Sequence, residues 1–262
     1  MVGATDGALE RAAAAAQVFV TDAEDPLLDG EDLHHLARVL RLRGGEVVVA
    51  ADGRGGWCPC RFTGAGDRSS ALEVDGPLRR DQRSDRLLTV AFAPAKGDRP
   101  EWVVQKLTEL GIDRIVPLSA ERSVVRWDEA RAGRALERLR RVAREAAAQS
   151  RRTWLPEVDA PVSVAALAET AATEGAPVRL AQLGGGPAAA DDSAVAVGPE
   201  GGWSPAEARL GGPPLGLGPT VLRAETAAVA AAVLLASLRA GTVEAAKAHG
   251  EGNRGADVGG SQ

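Results

Sequence analysis

The stretch AVAVGPEGGWSPAEA, residues 194–208, constrains the fold more than any other part of the chain. Ala194–Val197 has the composition of a buried strand. It runs directly into Gly198-Pro199-Glu200-Gly201-Gly202, after which Ser204 and Pro205 mark a helix start at the cap and the first helical position. A buried strand, a glycine turn and a helix start in that order belong to a parallel sheet. Glycines there let main chain approach a ligand at the strand's carboxyl end. The turn is not a phosphate-binding P-loop, because no Gly-Lys-Ser/Thr follows, and its glycines miss the dinucleotide-binding spacing. Taken alone, it is also compatible with a purely structural turn.

The surrounding pattern supports the parallel sheet. LLTVAFA (87–93) reads as a strand, and Asp98 with Glu101 as a capping-box-like helix start with Pro100 in the first turn. The helix EWVVQKLTELG ends at Gly111. A strand DRIVPL, a helix over about 128–149, a strand near 154–158 and a helix near 163–173 follow. VRLAQL and AVAVG are strands, and ETAAVAAAVLLASLRA is an apolar final helix. Strands alternating with helices predict an α/β domain with a mainly parallel sheet.

The first part of the chain differs. AQVFV (16–20) is followed by a helix over 31–42 with Leu33, Leu36, Val39 and Leu40 on one face, which Gly44-Gly45 can end. Short strands EVVVA, WCPCRF and ALEV then alternate with the turns DGRGG and GAGD. We therefore divide the chain into a small, mostly β domain (1–78), a polar linker (79–85), an α/β domain (86–244) and a Gly-rich, disordered tail (245–262).

Composition excludes several classes. The 262 residues, 45% hydrophobic, can bury the cores of one large or two ordinary domains. No run of eighteen apolar residues suggests a membrane span, and the acidic N-terminus does not read as a secretory signal. A cytoplasmic protein is expected. Cys58 and Cys60, with only Pro59 between them, would form a strained bridge, and they lack a second pair for zinc; we read both as strand cysteines and expect no metal. The net charge of −5 argues against nucleic acid, but its distribution does not: residues 81–155 carry sixteen basic and eleven acidic side chains. Within 122–152, ten arginines face four acids. Arg134, Arg138 and Arg141 share a helix face, and Arg144, Arg151 and Arg152 lie at or beyond its end. Such a face suits phosphate contact, although a solvated helix face has the same pattern.

Two further segments hold candidate site residues. In LGLGPTVLRAETAAVAAAVLL (215–235), Arg223, Glu225 and Thr226 adjoin an apolar helix, where charge must be paired or used. In FAPAKGDRPEWVVQKLTELGIDRIVPL (92–118), Lys96 and Arg99 follow the domain's first strand, and Lys106 and Glu109 sit three apart on a helix.

The order and spacing of HHLARVLRLRGGE, DGRGG, KGDRPEWVVQKLTELGIDRIVPL, REAAAQSRR, VGPEGGWSPAEA and LGPTVLRAETA resemble the ribosomal RNA small subunit methyltransferase E family of the SPOUT superfamily, over about residues 16–242. The resemblance implies a PUA-like RNA-binding β-barrel before a SPOUT α/β domain with a trefoil knot, and a homodimer joined at the knot. It implies methyl transfer from S-adenosyl-L-methionine to N3 of uridine 1498 of 16S rRNA in the assembled small subunit. The donor site implied comprises Leu180, Val197, Gly198, Pro199, Glu200, Gly201, Gly202, Leu217, Gly218, Leu222, Arg223 and Thr226. Lys96, Arg99, Arg138, Arg141, Arg144, Arg151 and Arg152 would contact RNA. Ala148, Arg151 and Thr220 depart from the family's usual residues, and 208–215 is short.

In that reading Arg223 stabilises the anionic uracil, with Glu225 orienting it or helping remove the N3 proton. Two alternatives stay open on sequence alone: a SPOUT enzyme acting on another RNA position or a ribose 2′-OH, and an RNA-binding assembly factor without catalysis.

Overall fold

A computed structural model describes residues 2–64, 71–125, 127, 129–175 and 177–245. From residue 246 the expected tail lies outside the described residues, as do most of the GAGD turn and the expected helix start at 128.

The N-terminal region begins with a helix that the sequence pattern does not announce, α1 (Val2–Ala13). It is followed by β1 (Ala16–Phe19), α2 (Gly30–His34), β2 (Val47–Ala51), β3 (Gly56–Phe62), β4 (Leu72–Val74) and β5 (Arg79–Arg80). The sheet order is β1-β2-β3-β4, with β5 also on β3; only the β1–β2 pairing is parallel. Val18, Leu36, Val48, Ala50, Phe62 and both cysteines fill its core. The Cys58 and Cys60 sulfurs lie 3.5 Å apart, and Cys58 Sγ donates to the Ala23 carbonyl. Contact with Cys58 and burial push the Cys60 thiol well above its ordinary pKa, so it behaves as an apolar filler.

The single amphipathic helix expected over 31–42 is not what forms. Asp29 caps α2 through the Asp32 amide, 2.7 Å away, and the chain then widens into a π-helical turn, His35–Val39. There the Leu40 amide reaches the His35 carbonyl. Widening shifts the side-chain register, so Leu36 is fully buried while Val39 and Leu40 face solvent.

The second region contains β6 (Thr89–Phe92), α3 (Arg99–Glu109), β7 (Arg114–Ser119), α4 (Glu129–Gln149), β8 (Glu157–Val158) and β9 (Val162–Ser163). It continues with α5 (Val164–Thr173), β10 (Arg179–Gly186), β11 (Ala194–Val197) and α6 (Ala224–Ala240). Every strand pairing among the described residues of this second sheet is parallel, in the order β10-β11-β6-β7-β8 with β9 on β7. Leu107, Ile115, Val195 and Leu235 belong to one core cluster with Ala224, Ala227, Ala228, Ala231 and Ala232 of α6. Alanine at these positions lets the helix axis lie close to the sheet. Asp98 does not cap α3 through its side chain; Glu101, its expected partner, instead forms an ion pair with Arg138 of α4. No helix among the described residues is long and apolar enough to cross a membrane.

The two regions are joined by buried polar contacts. The segment expected as linker opens as β5, and Asp81 beyond it accepts from Arg11 (2.9 Å), Trp57 Nε1 (3.2 Å) and Thr153 Oγ1 (2.8 Å). Gln17 Nε2 donates to the Arg152 carbonyl at 2.6 Å.

Candidate functional site

β11 and β6 pair in register from Ala194–Thr89 to Val197–Phe92, and the Ala93 amide still reaches the Val197 carbonyl. The loops leaving both strands therefore emerge side by side at the carboxyl edge of the sheet, where α/β folds place ligands. β10 shares only Arg179 and Leu180 with β11 and then runs on past the sheet to Gly186.

There β10 meets the later glycine loop. Leu215 bridges Ala181 and Gly186, and the Gly216 amide donates to the Gly186 carbonyl at 2.9 Å. A Cβ at Gly185 would stand 2.4 Å from the Leu215 carbonyl carbon, and one at Gly216 would stand 2.4 Å from the Gly185 oxygen. The two stretches of chain cross at a distance that only glycine allows.

This crossing brings the turn after β11 and the loop before α6 into one cavity of about 400 Å³. Val197, Gly198, Pro199, Glu200 and Gly202 line one wall; Leu217, Gly218 and Leu222 line another; Ala181, Gln182 and Leu183 close the β10 side. All three segments belong to one edge of the sheet. Trp203 packs its ring against Gly198 and donates from Nε1 to the Ala181 carbonyl, 3.1 Å away, so it fastens the turn to β10.

Below the turn, Ser204 and Glu207 form a capping box. Ser204 Oγ accepts from the Glu207 amide (3.2 Å), and Glu207 Oε2 accepts from the Ser204 amide (2.9 Å). The helix expected to start here is only a 3₁₀ turn, Glu207–Arg209. The second oxygen of the buried Glu207 accepts from the Glu121 amide at 2.8 Å, which ties the loop after β7 to the turn. In the same loop Arg122 donates to the Gly201 carbonyl.

The structure separates the residues expected at the donor site. Val197, Gly198, Pro199, Glu200, Gly202, Leu217, Gly218 and Leu222 meet in the cavity. Gly201 faces Arg122 rather than the cavity. Leu180 is buried beneath it, and its neighbours from Ala181 onward form the wall. Arg223 is the N-cap residue of α6, with extended backbone and an exposed side chain, and Thr226 is exposed one turn on. Glu225 forms its ion pair with Arg99 at 3.6 Å, not with Arg223. Gln182, Trp203, Thr220, Val221, Ala224 and Ala227 also line the cavity, beyond the expected set. Of these and their supports, the Ser204–Glu207 box carries a readable signal, the S-x-x-E spacing. Arg122 carries none.

The arginines also separate. Arg131, Arg134, Arg138 and Arg141 flank Trp127 and Glu137 around a groove of about 540 Å³ on α4. Lys96 and Arg99 are exposed in and just beyond the loop leaving β6. Arg144 donates to the Phe19 carbonyl (2.6 Å), lies over the Phe19 ring and pairs with Asp32. Arg151 takes a left-handed backbone and donates to the carbonyls of Arg11, Ala14 and Ala148. Arg152 donates to the Thr108 and Ile112 carbonyls and pairs with Asp113. Burial pushes the Arg152 pKa down to about 10, with Asp113 pulling it back up. The guanidiniums of Arg151 and Arg152 are committed to main chain within the body of the protein.

Comparisons with known proteins converge. Residues 82–236 match the RNA methyltransferase domain family, and residues 28–75 the RNA methyltransferase PUA domain family. The chain is 36% identical over 223 residues to a ribosomal RNA small subunit methyltransferase E of Mycobacterium bovis, spanning 78% of this chain and 83% of that one. The Bacillus subtilis protein of the same description is 31% identical over 219 residues, 76% and 85% of the two chains. Among solved structures, a Legionella pneumophila methyltransferase in complex with S-adenosylmethionine superposes with a TM-score of 0.70 at 28% identity, covering 86% of this chain and 97% of that one. A Neisseria gonorrhoeae ribosomal RNA small subunit methyltransferase E bound to S-adenosylmethionine gives 0.70 at 25% identity, covering 85% and 97%.

Proposed function

The chain belongs to the ribosomal RNA small subunit methyltransferase E family, and on that premise we propose that it methylates N3 of uridine 1498 of 16S rRNA in the small ribosomal subunit, using S-adenosyl-L-methionine. The observation that carries this reading is the one cavity built jointly by the turn after β11 and the loop before α6. Relatives with the same fold are solved with S-adenosylmethionine bound.

The cavity suits such a donor. Its volume lies in the range of small-molecule sites, and its wall mixes apolar side chains with main chain that can bond a nucleoside and an amino-acid moiety. Val197, Gly198, Pro199, Glu200, Gly202, Leu217, Gly218 and Leu222 would hold it, with Leu180, Gly201 and Thr226 supporting them. The donor supplies a methyl group already activated on sulfonium, so the protein has to align the base and favour its N3 anion. Arg223, with Glu225 beside it at the N-terminal end of α6, would do that work. An exposed guanidinium beside the cavity can meet charge that spreads from N3 onto the flanking carbonyl oxygens.

RNA would approach across Lys96, Arg99, Arg138, Arg141 and Arg144, while Arg151 ties the end of α4 to the first region and Arg152 braces the end of α3 beneath that surface. The close crossing at Gly185 and Gly216 supports a knotted chain. Val221, 85% exposed, and Leu183, 57% exposed, are apolar residues at the cavity mouth; a second copy covering them gives the homodimer. The enzyme works in the cytoplasm, where its substrate is.

The deciding experiment is mass spectrometry of 16S rRNA nucleosides from a strain lacking the gene, before and after treatment of its small subunits with the purified protein. The expected result is restoration of one 3-methyluridine. A methyl restored on ribose, or at another base, would redirect the assignment; no methyl restored and no donor bound would leave an RNA-binding protein.

A further inference from the structure

Glu225 lies one position beyond Ala224 and two before Ala227, both of which line the cavity. Its side chain is 15% exposed, and Oε2 is buried with no hydrogen-bond partner among the described residues. An unsatisfied buried carboxylate oxygen costs free energy and calls for an explanation. The charge at hand is Arg99, 3.6 Å from Oε1, which begins α3 just after the loop leaving β6. β6 is the in-register neighbour of β11, so Arg99 and the turn after β11 rise from adjacent strand ends. The contact is an ion pair without a hydrogen bond, and the Arg99 side chain remains 44% exposed, free to reach a further anion. Arg138 and Glu101 form a similar pair, with Glu101 Oε2 likewise buried without a partner among the described residues, but their contact is closer and Arg138 lies on α4 beside the groove, away from the strand ends; Arg152 is spent on carbonyls.

We propose that Arg99 is a second catalytic guanidinium, aimed at the target base by Glu225, which acts as its positioning residue; this rests on the uridine-N3 reading above. The uracil anion carries charge on two carbonyl oxygens, one on each side of N3, so one arginine can serve only one of them well. Arg99, from α3, meets one and Arg223, from α6, the other. In the step they favour, N3 loses its proton to solvent, its electron pair forms the bond to the methyl carbon, and the carbon–sulfur bond breaks with its electrons remaining on sulfur. Arg99 takes no proton; its positive charge lowers the cost of the anion.

The test compares wild type with Arg99→Gln, Arg99→Lys, Glu225→Gln and Glu225→Asp in single-turnover methylation of unmethylated small subunits from pH 6.5 to 9.5. Donor affinity is measured by calorimetry, and subunit affinity by filter binding. For Arg99→Gln we expect unchanged donor affinity and a rate loss of about 10²–10³ at neutral pH. That loss should shrink as pH rises and solvent itself ionises N3; Arg99→Lys should recover part of it. Glu225→Gln should lose about tenfold with the same pH signature, and Glu225→Asp should be closer to wild type.

A readout without the donor uses subunits substituted with 5-fluorouridine, whose N3 is more acidic. Wild type should bind them more tightly as pH rises through N3 ionisation, and Arg99→Gln should not. A deficit in Arg99→Gln that is equal at every pH, or one confined to subunit affinity with an unchanged bound rate, overturns the proposal and leaves Arg99 a phosphate contact. Failure of the wild type to methylate uridine would instead overturn the parent reading.

Discussion

The Arg122 guanidinium donates to the Gly201 carbonyl at 3.0 Å, across 79 positions of sequence. The bond joins the loop after β7 to the turn that walls the cavity proposed for the donor, and Glu207 ties the same two segments through the Glu121 amide. Because Arg122 is exposed, solvent screening brings its contribution below the usual range for a charged hydrogen bond, to about 1 kcal/mol. Arg122→Ala should therefore weaken S-adenosylmethionine binding about fivefold, read by calorimetry, with melting temperature little changed. An unaltered dissociation constant would show that the turn is rigid without this bond.

Substitution within the turn should act more strongly. A Cβ at Gly198 would lie 3.0–3.2 Å from the Trp203 ring, which is held at its other side by the Ala181 carbonyl. A Cβ at Gly201 would meet Arg122 Cβ at 3.2 Å. Gly198→Ala should push Trp203 toward the cavity, and Gly201→Val should drive the loop after β7 away. Each should lower donor affinity by at least about tenfold, a cost within the usual range for overpacking. Donor affinity retained in Gly198→Ala would mean that Trp203 can swing without disturbing the pocket.

These relationships separate what is legible in the sequence from what is not. Val197–Gly202 and Leu217–Leu222 announce themselves because glycines beside a strand or helix start are a local signal. Their meeting in one cavity is visible only after Gly185 and Gly216 let the two segments cross. The parallel sheet follows from alternating strands and helices, whereas α1 stands apart from that alternation and takes its place from a tertiary contact with Trp57, against which Arg11 and Gly7 pack. The pairing of Glu225 with Arg99 instead of Arg223, and of Glu101 with Arg138 instead of an Asp98 capping box, are tertiary choices between charges that sequence spacing alone cannot rank. For the same reason Arg152 reads as a surface cation until its burial is known.

The stripe on α4 should reveal itself through salt. Arg141 is exposed and lines the groove beside Trp127, with no side-chain bond among the described residues, while Arg138 shares its charge with Glu101. If both face phosphate, Arg141→Glu should weaken binding to small subunits more than Arg138→Glu does. The slope of log affinity against log salt should fall by about 0.7 for each single-strand phosphate that a variant no longer neutralises. Equal slopes for Arg141→Glu and wild type would return this groove to the status of a solvated helix face.

Arg152 should behave in the opposite way, as a folding residue. Its side chain is 14% exposed, donates to two main-chain carbonyls at the end of α3, and pairs with Asp113 at 3.6 Å. Asp113 in turn accepts from the Leu88 amide at 2.9 Å and pairs with Arg239 of α6. Removing Arg152 leaves the Ile112 carbonyl without a donor, although Thr108 keeps its bond from the Gly111 amide, and leaves part of the Asp113 charge uncompensated, so Arg152→Ala should cost about 3 kcal/mol of stability. Burial lowers the Arg152 pKa from its ordinary value to about 10, so below pH 10 the folded state bears a desolvation penalty that the unfolded chain does not. That penalty would ease only as pH rises above 10, so it is constant across the neutral range. The stability gap between Arg152→Ala and wild type, measured by urea unfolding, should accordingly be the same at pH 6 and pH 8. A variant that unfolds like wild type but binds small subunits with a flatter salt dependence would place Arg152 on the RNA surface after all.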